Sequence, residues 1–439
     1  MGRLITPQKP WILTYVGSGK NIIDICREKN TDINTVLNEC KVHSIDPVEV
    51  FRFDPSKHKD ASTHWILRYI HSGKTIKDIA EEKKLEESEV LVALTSAGKQ
   101  QADLDFRKRK FLGLDVGTSK LLRANRVDGK LNIISQRNAF IELPSDTSTL
   151  RSLTRQKVNY VKVDDKLYLV GDNAYDYGNV FPYLELKRPM ANGMLSIEPG
   201  ALPVIGEIIK ALLGTTEELD SVCAYSVPAV PVDMHKLVQF HTDVIEGIVK
   251  QCGYIPIVVN EGVAVANVGL EPYDLTGLAL SFGGGLINAC LMFKGLSALQ
   301  ISVSHAGDFI DEMSAKDIGV STIQMTALKE SDVIDISQTQ TTREGQAIKS
   351  YYILCIKHAL FEIAKYFNAS TEKPHFQEPI HIACAGGGVL IPGFSEVFEK
   401  EFNAMDMPFD IAKDGVNILD DPLSATSLGC LIEAELSGE

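Results

Sequence analysis

Phe111-Leu112-Gly113-Leu114-Asp115-Val116-Gly117-Thr118-Ser119-Lys120-Leu121-Leu122 reads as a strand, a tight turn and a second strand. Asp128-Gly129 then turns the chain into a third strand, from Leu131 to Ser135. A glycine-and-hydroxyl turn between strands can offer backbone N–H groups and hydroxyls to phosphates, because no side chain blocks the approach. An aspartate beside it can hold magnesium through water. One such turn is weak evidence of a site.

The design recurs. Leu278-Ala279-Leu280-Ser281-Phe282-Gly283-Gly284-Gly285-Leu286-Ile287-Asn288-Ala289 repeats it, with Ser281 lying 166 residues after Asp115. Further on, Ile382-Ala383-Cys384-Ala385-Gly386-Gly387-Gly388-Val389-Leu390-Ile391-Pro392-Gly393 reads as a strand, a glycine turn and a helix start. Three glycine turns in this order, each leaving an apolar strand, resemble the actin, heat-shock chaperone and sugar kinase superfamily. Within it the chain resembles the bacterial actins of the rod-shape (MreB) and magnetosome-filament (MamK) groups. Val170-Gly171-Asp172-Asn173-Ala174 with Arg188-Pro189-Met190-Ala191-Asn192-Gly193 is similar to their approach to the nucleotide cleft. Val258 to Ala266 is similar to the helix that crosses between their lobes, and Asp421-Pro422-Leu423-Ser424-Ala425 with Leu428-Gly429 to their last helix.

The resemblance implies an α/β, actin-like two-lobed ATPase fold over residues 106–439. Lobe I is expected over 106–272 and lobe II over 273–439, with the C-terminal helix returning to lobe I. ATP and magnesium would lie between the lobes. Gly117, Thr118 and Ser119 would form the first phosphate hairpin, and Ser281, Gly283, Gly284 and Gly285 the second. Gly386, Gly387 and Gly388 would face the adenosine, with Lys329 and Glu330 at the purine and ribose. Asp115 would hold the metal, and Glu261, which positions the attacking water in relatives, would complete the catalytic pair.

Departures from the family temper the chemistry. Ser281 stands where the family has an aspartate, and Leu286 and Ile287 stand where hydroxyls would meet phosphate. Losing one preorganised electrostatic partner typically costs about 10²–10³ in rate. Hydrolysis is therefore expected to be weak or absent, so the chain is a doubtful enzyme. Gly262 replaces the usual proline, and a looser start to the crossing helix is expected. Lys120 reads equally as a phosphate contact or a solvated hairpin lysine.

Composition sets wider bounds. The 439 residues are 44% hydrophobic and 23% charged, ordinary values for a globular chain. The formal charge of −14 argues against general nucleic-acid binding. It is unevenly placed: residues 1–110 hold 19 Lys and Arg against 16 Asp and Glu, and the remainder 25 against 42. The eight cysteines form no CxxC pair and sit mostly in apolar runs, which suits a reducing compartment and excludes a structural zinc framework. His235 and His241 are too far apart along a helix to share a metal, so each is expected to be hydrogen-bonded or exposed. No apolar run reaches transmembrane length. The expected address is the cytoplasm, with a cytoskeletal or membrane-associated form as the variant. Ser331 to Gly345 reads as a mobile polar loop without chemistry.

Residues 1–105 carry a tandem repeat, with copies at about 8–45 and 62–98. Trp11-Ile12-Leu13, Tyr15 and Ser18-Gly19-Lys20 recur 54 residues on as Trp65-Ile66-Leu67, Tyr69 and Ser72-Gly73-Lys74. The chain's two tryptophans occupy equivalent places. Apolar spacing within each copy is helical, and the paired helices resemble a helix-turn-helix. Asn30 suits the left-handed turn between them; Lys84 suits it less. The would-be recognition stretch Leu85-Glu86-Glu87-Ser88-Glu89 is acidic and would repel phosphates, so a protein-docking module is favoured over DNA binding. Arg107-Lys108-Arg109-Lys110 reads as a solvated boundary.

The leading function is an actin-like protein that binds MgATP between its lobes and self-associates into filaments. Its rivals are a non-cycling scaffold that recruits a partner through the N-terminal module, and a DNA-linked segregation or regulatory protein. A sugar or acetate kinase is disfavoured, because no substrate-binding acid stands out between the shared motifs.

Overall fold

The computed structural model describes residues 11–437, except 17, 19, 21, 30, 32, 44, 46–65, 67–68, 70–73, 97–108, 128, 157, 159, 164, 182, 197, 199, 217, 219, 235–237 and 372–373. Trp65, Ser72, Gly73, Asn30, His235, Arg107 and Lys108, all singled out above, lie outside the described residues. The chain divides into two compact units, Met1–Lys108 and Arg109–Glu439.

In the first unit a 3₁₀ turn (Trp11–Thr14) precedes α1 (Ile22–Lys29) and α2 (Ile33–Val42), and the second copy supplies α3 (Ile76–Lys83) and α4 (Glu87–Ser96). Ile12, Ile25, Val36 and Cys40 form the core of one copy, and Ile66, Ile79, Val90 and Leu94 that of the other. Val92 of α4 joins the first core, so the copies share apolar surface. Both repeat one polar device. Lys20 pairs with Glu28 and lies 5.5 Å from the Tyr15 ring centre; Lys74 pairs with Glu82 and lies 5.3 Å from that of Tyr69. Thr75 and Asp78 close a capping box at the start of α3. Lys84 does take the left-handed conformation at the end of α3, at φ 55°. Its N–H returns to the Ala80 and Glu81 carbonyls, which offsets the strain.

The second unit opens with the meander β1 (Phe111–Val116), β2 (Lys120–Val127) and β3 (Lys130–Arg137). There follow β4 (Phe140–Pro144), α5 (Thr147–Arg155), β5 (Tyr160–Val163), β6 (Lys166–Val170) and α6 (Asp172–Val180). The hairpin β7 (Met190–Ala191) and β8 (Met194–Leu195) leads to α7 (Ala201–Leu213), β9 (Val222–Val227), α8 (Val238–Gln251), β10 (Ile255–Asn260) and α9 (Glu261–Gly269). A second meander, β11 (Gly277–Phe282), β12 (Ile287–Phe293) and β13 (Leu296–Val303), precedes α10 (Gly307–Ile318), α11 (Thr322–Lys329) and the long α12 (Arg343–Ala369). The chain finishes with β14 (Ile380–Ala385), α13 (Phe394–Asn403), β15 (Ile411–Ile418) and α14 (Ala425–Leu436).

Two five-stranded sheets dominate, in orders β10-β9-β1-β2-β3 and β13-β12-β11-β14-β15. They share one plan: an antiparallel meander whose first strand pairs in parallel with a later one. The register agrees too, Asp115 standing opposite Leu122 and Ser281 opposite Asn288. Each half ends in a helix that crosses to the other half's sheet. Helix α9 packs on β11, β12 and β14, while α14 packs on β1, β2 and β9. The two helices meet where Gly429 faces Ala264; a Cβ at Gly429 would lie 2.0 Å from the Ala264 carbonyl oxygen. Similarly, Gly113 admits α14 to the sheet, since its Cβ would lie 2.0 Å from the Ser427 carbonyl. This crossing joins the lobes at the floor of a cleft. The fold is the two-lobed, actin-like α/β architecture implied by the three glycine turns.

Three expectations need correction. Helix α9 does not start loosely: Asn260 caps it by accepting from the Gly262 N–H at 2.9 Å, a donor that proline lacks, and Gly262 lies hard against Cys290 of β12. The 331–345 stretch is a fastened loop, with Ile334 and Ile336 buried in the lobe II core and the Ile336 N–H bonded to the Pro392 carbonyl. His241 is neither hydrogen-bonded nor exposed. It is 1% exposed on α8, and among the described residues both ring nitrogens lack a partner.

Candidate functional site

The cleft holds a cavity of about 480 Å³. Every residue singled out for nucleotide or metal lines it: Asp115, Gly117, Thr118 and Ser119; Glu261; Ser281 and Gly283 to Gly285; Lys329 and Glu330; Gly386 to Gly388. The β-meanders bring their two hairpins face to face. A Cβ at Gly284 would lie 2.5 Å from Ser119 Oγ, and one at Gly285 would lie 2.5 Å from Thr118 Oγ1. At Gly285 rigid backbone blocks a side chain as well, the Gly193 nitrogen lying 2.3 Å from such a Cβ, whereas at Gly284 the nearest atom is the Ser119 hydroxyl.

At the floor, Asp115 accepts a hydrogen bond from Ser226 Oγ at 2.9 Å, and Ser226 Oγ in turn accepts from the Val116 N–H at 2.9 Å. Glu261, first in α9, accepts from Asn288 Nδ2 at 2.5 Å, while Asn288 Oδ1 accepts from the Ala229 N–H at 3.2 Å. Burial raises the Asp115 carboxyl above its ordinary range, against the pull of the Ser226 hydroxyl. Burial and then repulsion from Asp115 raise Glu261. Two carboxyls held above their usual range in one pocket are a receptive place for a cation.

The second hairpin is braced by lobe II. Its Gly283 and Gly284 carbonyls accept from the Gly307 and Asp308 N–H groups, two of the otherwise unpaired donors at the start of α10. Ser281 is buried on β11. Leu286 and Ile287 are buried as well: Ile287 belongs to the lobe II core, and Leu286 packs against Gly193, where a Cβ would lie 2.2 Å from its Cδ1. The Gly193 N–H donates to Thr118 Oγ1 at 3.0 Å, so the first hairpin's buried hydroxyl is engaged by the β7–β8 turn.

Several features were not legible in the motifs. Arg188 Nη1 lies 2.7 Å from Asp308 Oδ1, an ion pair across the cleft between residues 120 apart in sequence. Lys329 is not a free ribose contact: its ammonium donates to Asp311 Oδ2 at 2.8 Å and to the Gly307 carbonyl at 3.0 Å. Thr326 Oγ1 donates to the same Asp311 oxygen. Glu330 is exposed at the end of α11 and keeps its carboxylate at the cavity wall. Leu390, Ile391 and Pro392 give the cavity an apolar lining beside the third glycine turn. Lys120 lines the cavity too.

The Volactin family profile matches residues 111–434. A search of curated proteins found no match. Among solved structures, a MamK double helical filament superposes with a TM-score of 0.56 at 20% identity, covering 75% of this chain and 99% of that one. MreB5 of Spiroplasma citri bound to ADP gives 0.53 at 15% identity over 76% of this chain and 97% of that one, and its AMPPNP complex gives 0.52 at 15% identity over 76% and 96%. At these identities the likeness establishes the actin-like fold.

Proposed function

The chain belongs to the Volactin family, and from that premise we propose that it is a nucleotide-binding, filament-forming actin-like protein that turns ATP over slowly. The observation that supports this most is the single cavity onto which all three glycine turns, Asp115 and Glu261 converge. The residues fit a nucleotide: the facing hairpins leave glycine backbone where a Cβ would clash, and the floor carries carboxyls that burial destabilises as anions. Gly117 to Ser119 and Gly283 to Gly285 would hold the phosphates, Gly386 to Gly388 the adenosine side, and Asp115 the magnesium. Bound magnesium would supply charge neutralisation on the phosphates. Asp115 is oriented by Ser226, and Glu261 is held by Asn288 where it can orient water. Slow turnover follows from Ser281, which lacks the charge of an aspartate, and from Leu286 and Ile287, whose side chains pack and offer no hydroxyl.

Self-association is the reading that the MamK filament supports, and MreB5 bound to ADP and AMPPNP supports nucleotide. The N-terminal repeats are proposed as a docking module for a protein, with an exposed acidic face at Glu86 and Glu87 that disfavours DNA. Among the described residues no helix is long and apolar enough to cross a membrane. The test is sedimentation with magnesium and ATP, ADP or a non-hydrolysable analogue, with phosphate release followed in parallel. ATP-dependent pelleting with slow release is expected. Failure to pellet and failure to retain nucleotide would overturn the proposal and leave a non-cycling scaffold.

A further inference from the structure

Outside the cleft, three chemically distinct segments place metal-ligating side chains together. Asp233 lies on the stretch after β9, His305 between β13 and α10, and His358 on α12; none lines the nucleotide cavity. One carboxylate oxygen and one ring nitrogen from each histidine all lie within 4.8 Å of one another. We propose that Asp233, His305 and His358 bind a divalent transition-metal ion of the zinc class, fastening the segment after β9 to lobe II.

The distances suit such an ion. Zinc bonds to imidazole nitrogen and carboxylate oxygen run about 2.0–2.2 Å, which puts neighbouring ligand atoms roughly 3.0–3.4 Å apart. Asp233 Oδ2 and His358 Nε2 are already at 2.9 Å, and the His305 ring nitrogen lies within 4.8 Å of both. A plain aspartate–histidine pair would explain two of the three residues and leave the third unexplained. His305 Nδ1 is buried and, among the described residues, has no hydrogen-bond partner. Its ring stands 4.3 Å from that of His358 and 4.2 Å from that of Phe309, an aromatic wall that keeps water from one side.

Ser304 holds the carboxylate in place. Its N–H donates to both Asp233 oxygens, Oδ1 at 3.1 Å and Oδ2 at 2.9 Å, and its Oγ–H donates to Oδ2 at 3.0 Å. The fastened segment is already stitched to lobe II: the Val232 N–H bonds to the Ser302 carbonyl at 3.0 Å, and Ser302 Oγ donates to the Ala229 carbonyl at 2.8 Å. A metal there would reinforce a connection between the strand that carries Ser226 and the start of α10, which braces the second hairpin.

Full-length protein stripped with a chelator is titrated with Zn²⁺ by calorimetry and with Co²⁺ as a spectroscopic probe, both without nucleotide. One Zn²⁺ per chain is expected, with a Kd on the order of 1 μM or tighter. The Co²⁺ complex should show ligand-field bands without thiolate charge transfer, since all eight cysteines are buried elsewhere. His305→Ala and His358→Ala should each weaken binding by about 100-fold, and Asp233→Asn by about tenfold. No saturable uptake by the wild-type chain, a thiolate band, or unchanged affinity in folded His305→Ala and His358→Ala would overturn the proposal. His305→Gln and His358→Gln, which better conserve volume, keep the test decisive if an alanine variant does not fold.

Discussion

His241 gives the sharpest quantitative expectation. It sits in the lobe I core on α8, 1% exposed, and burial pushes its pKa down to about 4 from an ordinary value near 6.5. The unfolded chain therefore binds a proton below about pH 6.5, whereas the folded chain resists until about pH 4. The sign follows: this residue costs no stability above about pH 6.5, and its cost grows as pH falls toward 4. Its full size is 2.5 pKa units at about 1.36 kcal/mol each, or about 3 kcal/mol, of which about 2 kcal/mol is reached by pH 5. Urea unfolding at about pH 7.5 and pH 5 measures it, comparing the wild type with His241→Leu. Far-UV circular dichroism is the right probe, because both tryptophans lie in the N-terminal unit and their fluorescence reports that unit alone. The wild type should lose about 2 kcal/mol more than the variant between the two conditions. Equal losses would refute the argument, showing that the ring is solvated or paired when folded.

Other consequences follow from the floor of the cleft and the crossing helices. Gly429→Ala should destabilise the second unit by about 3 kcal/mol or more, read by thermal unfolding, because the added methyl meets the Ala264 carbonyl on a rigid helix; a loss under about 1 kcal/mol would contradict that contact. Asn288→Leu removes the donor to Glu261 and the acceptor for the Ala229 N–H, and should cost about 2 kcal/mol in urea unfolding and lower phosphate release at least tenfold. Wild-type stability together with wild-type turnover would remove Asn288 from the site. Ser281→Asp should raise magnesium-dependent phosphate release by about tenfold or more, and no increase would mean that the missing charge is not what limits turnover.

The hairpins were readable because a glycine turn leaving an apolar strand is a local pattern, and three in order constrain one topology. What remained hidden depended on distance in sequence or on register. Nothing near Arg188 points to Asp308, because the pairing exists only once lobe I meets the start of α10. Lys329 matched a motif position, yet Asp311, 18 residues earlier, claims its charge because α10 and α11 pack side by side. The 331–345 loop looked mobile from its polar residues; two isoleucines among them, Ile334 and Ile336, fasten it to the core. His241 carries no burial signal of its own, since a lone histidine on an amphipathic helix reads the same facing water or the core.

The shared register of the two meanders gives the Ser281 substitution a physical meaning. Position 281 corresponds to 115, and cross-strand position 288 to 122, so an aspartate at 281 would stand opposite Asn288. It would join a floor where Asp115 and Glu261 are already held above their ordinary range. A third carboxyl there would deepen the repulsion whenever no cation is present. Serine removes that repulsion, and Asn288 donates to Glu261 across the floor. Under the proposed function the same arrangement weakens hydrolysis, because the cation loses one of its anchors, while the glycine turns that would hold the nucleotide are untouched. On that proposal binding and turnover rest on different residues in this cleft, and a chain can keep the first while surrendering most of the second.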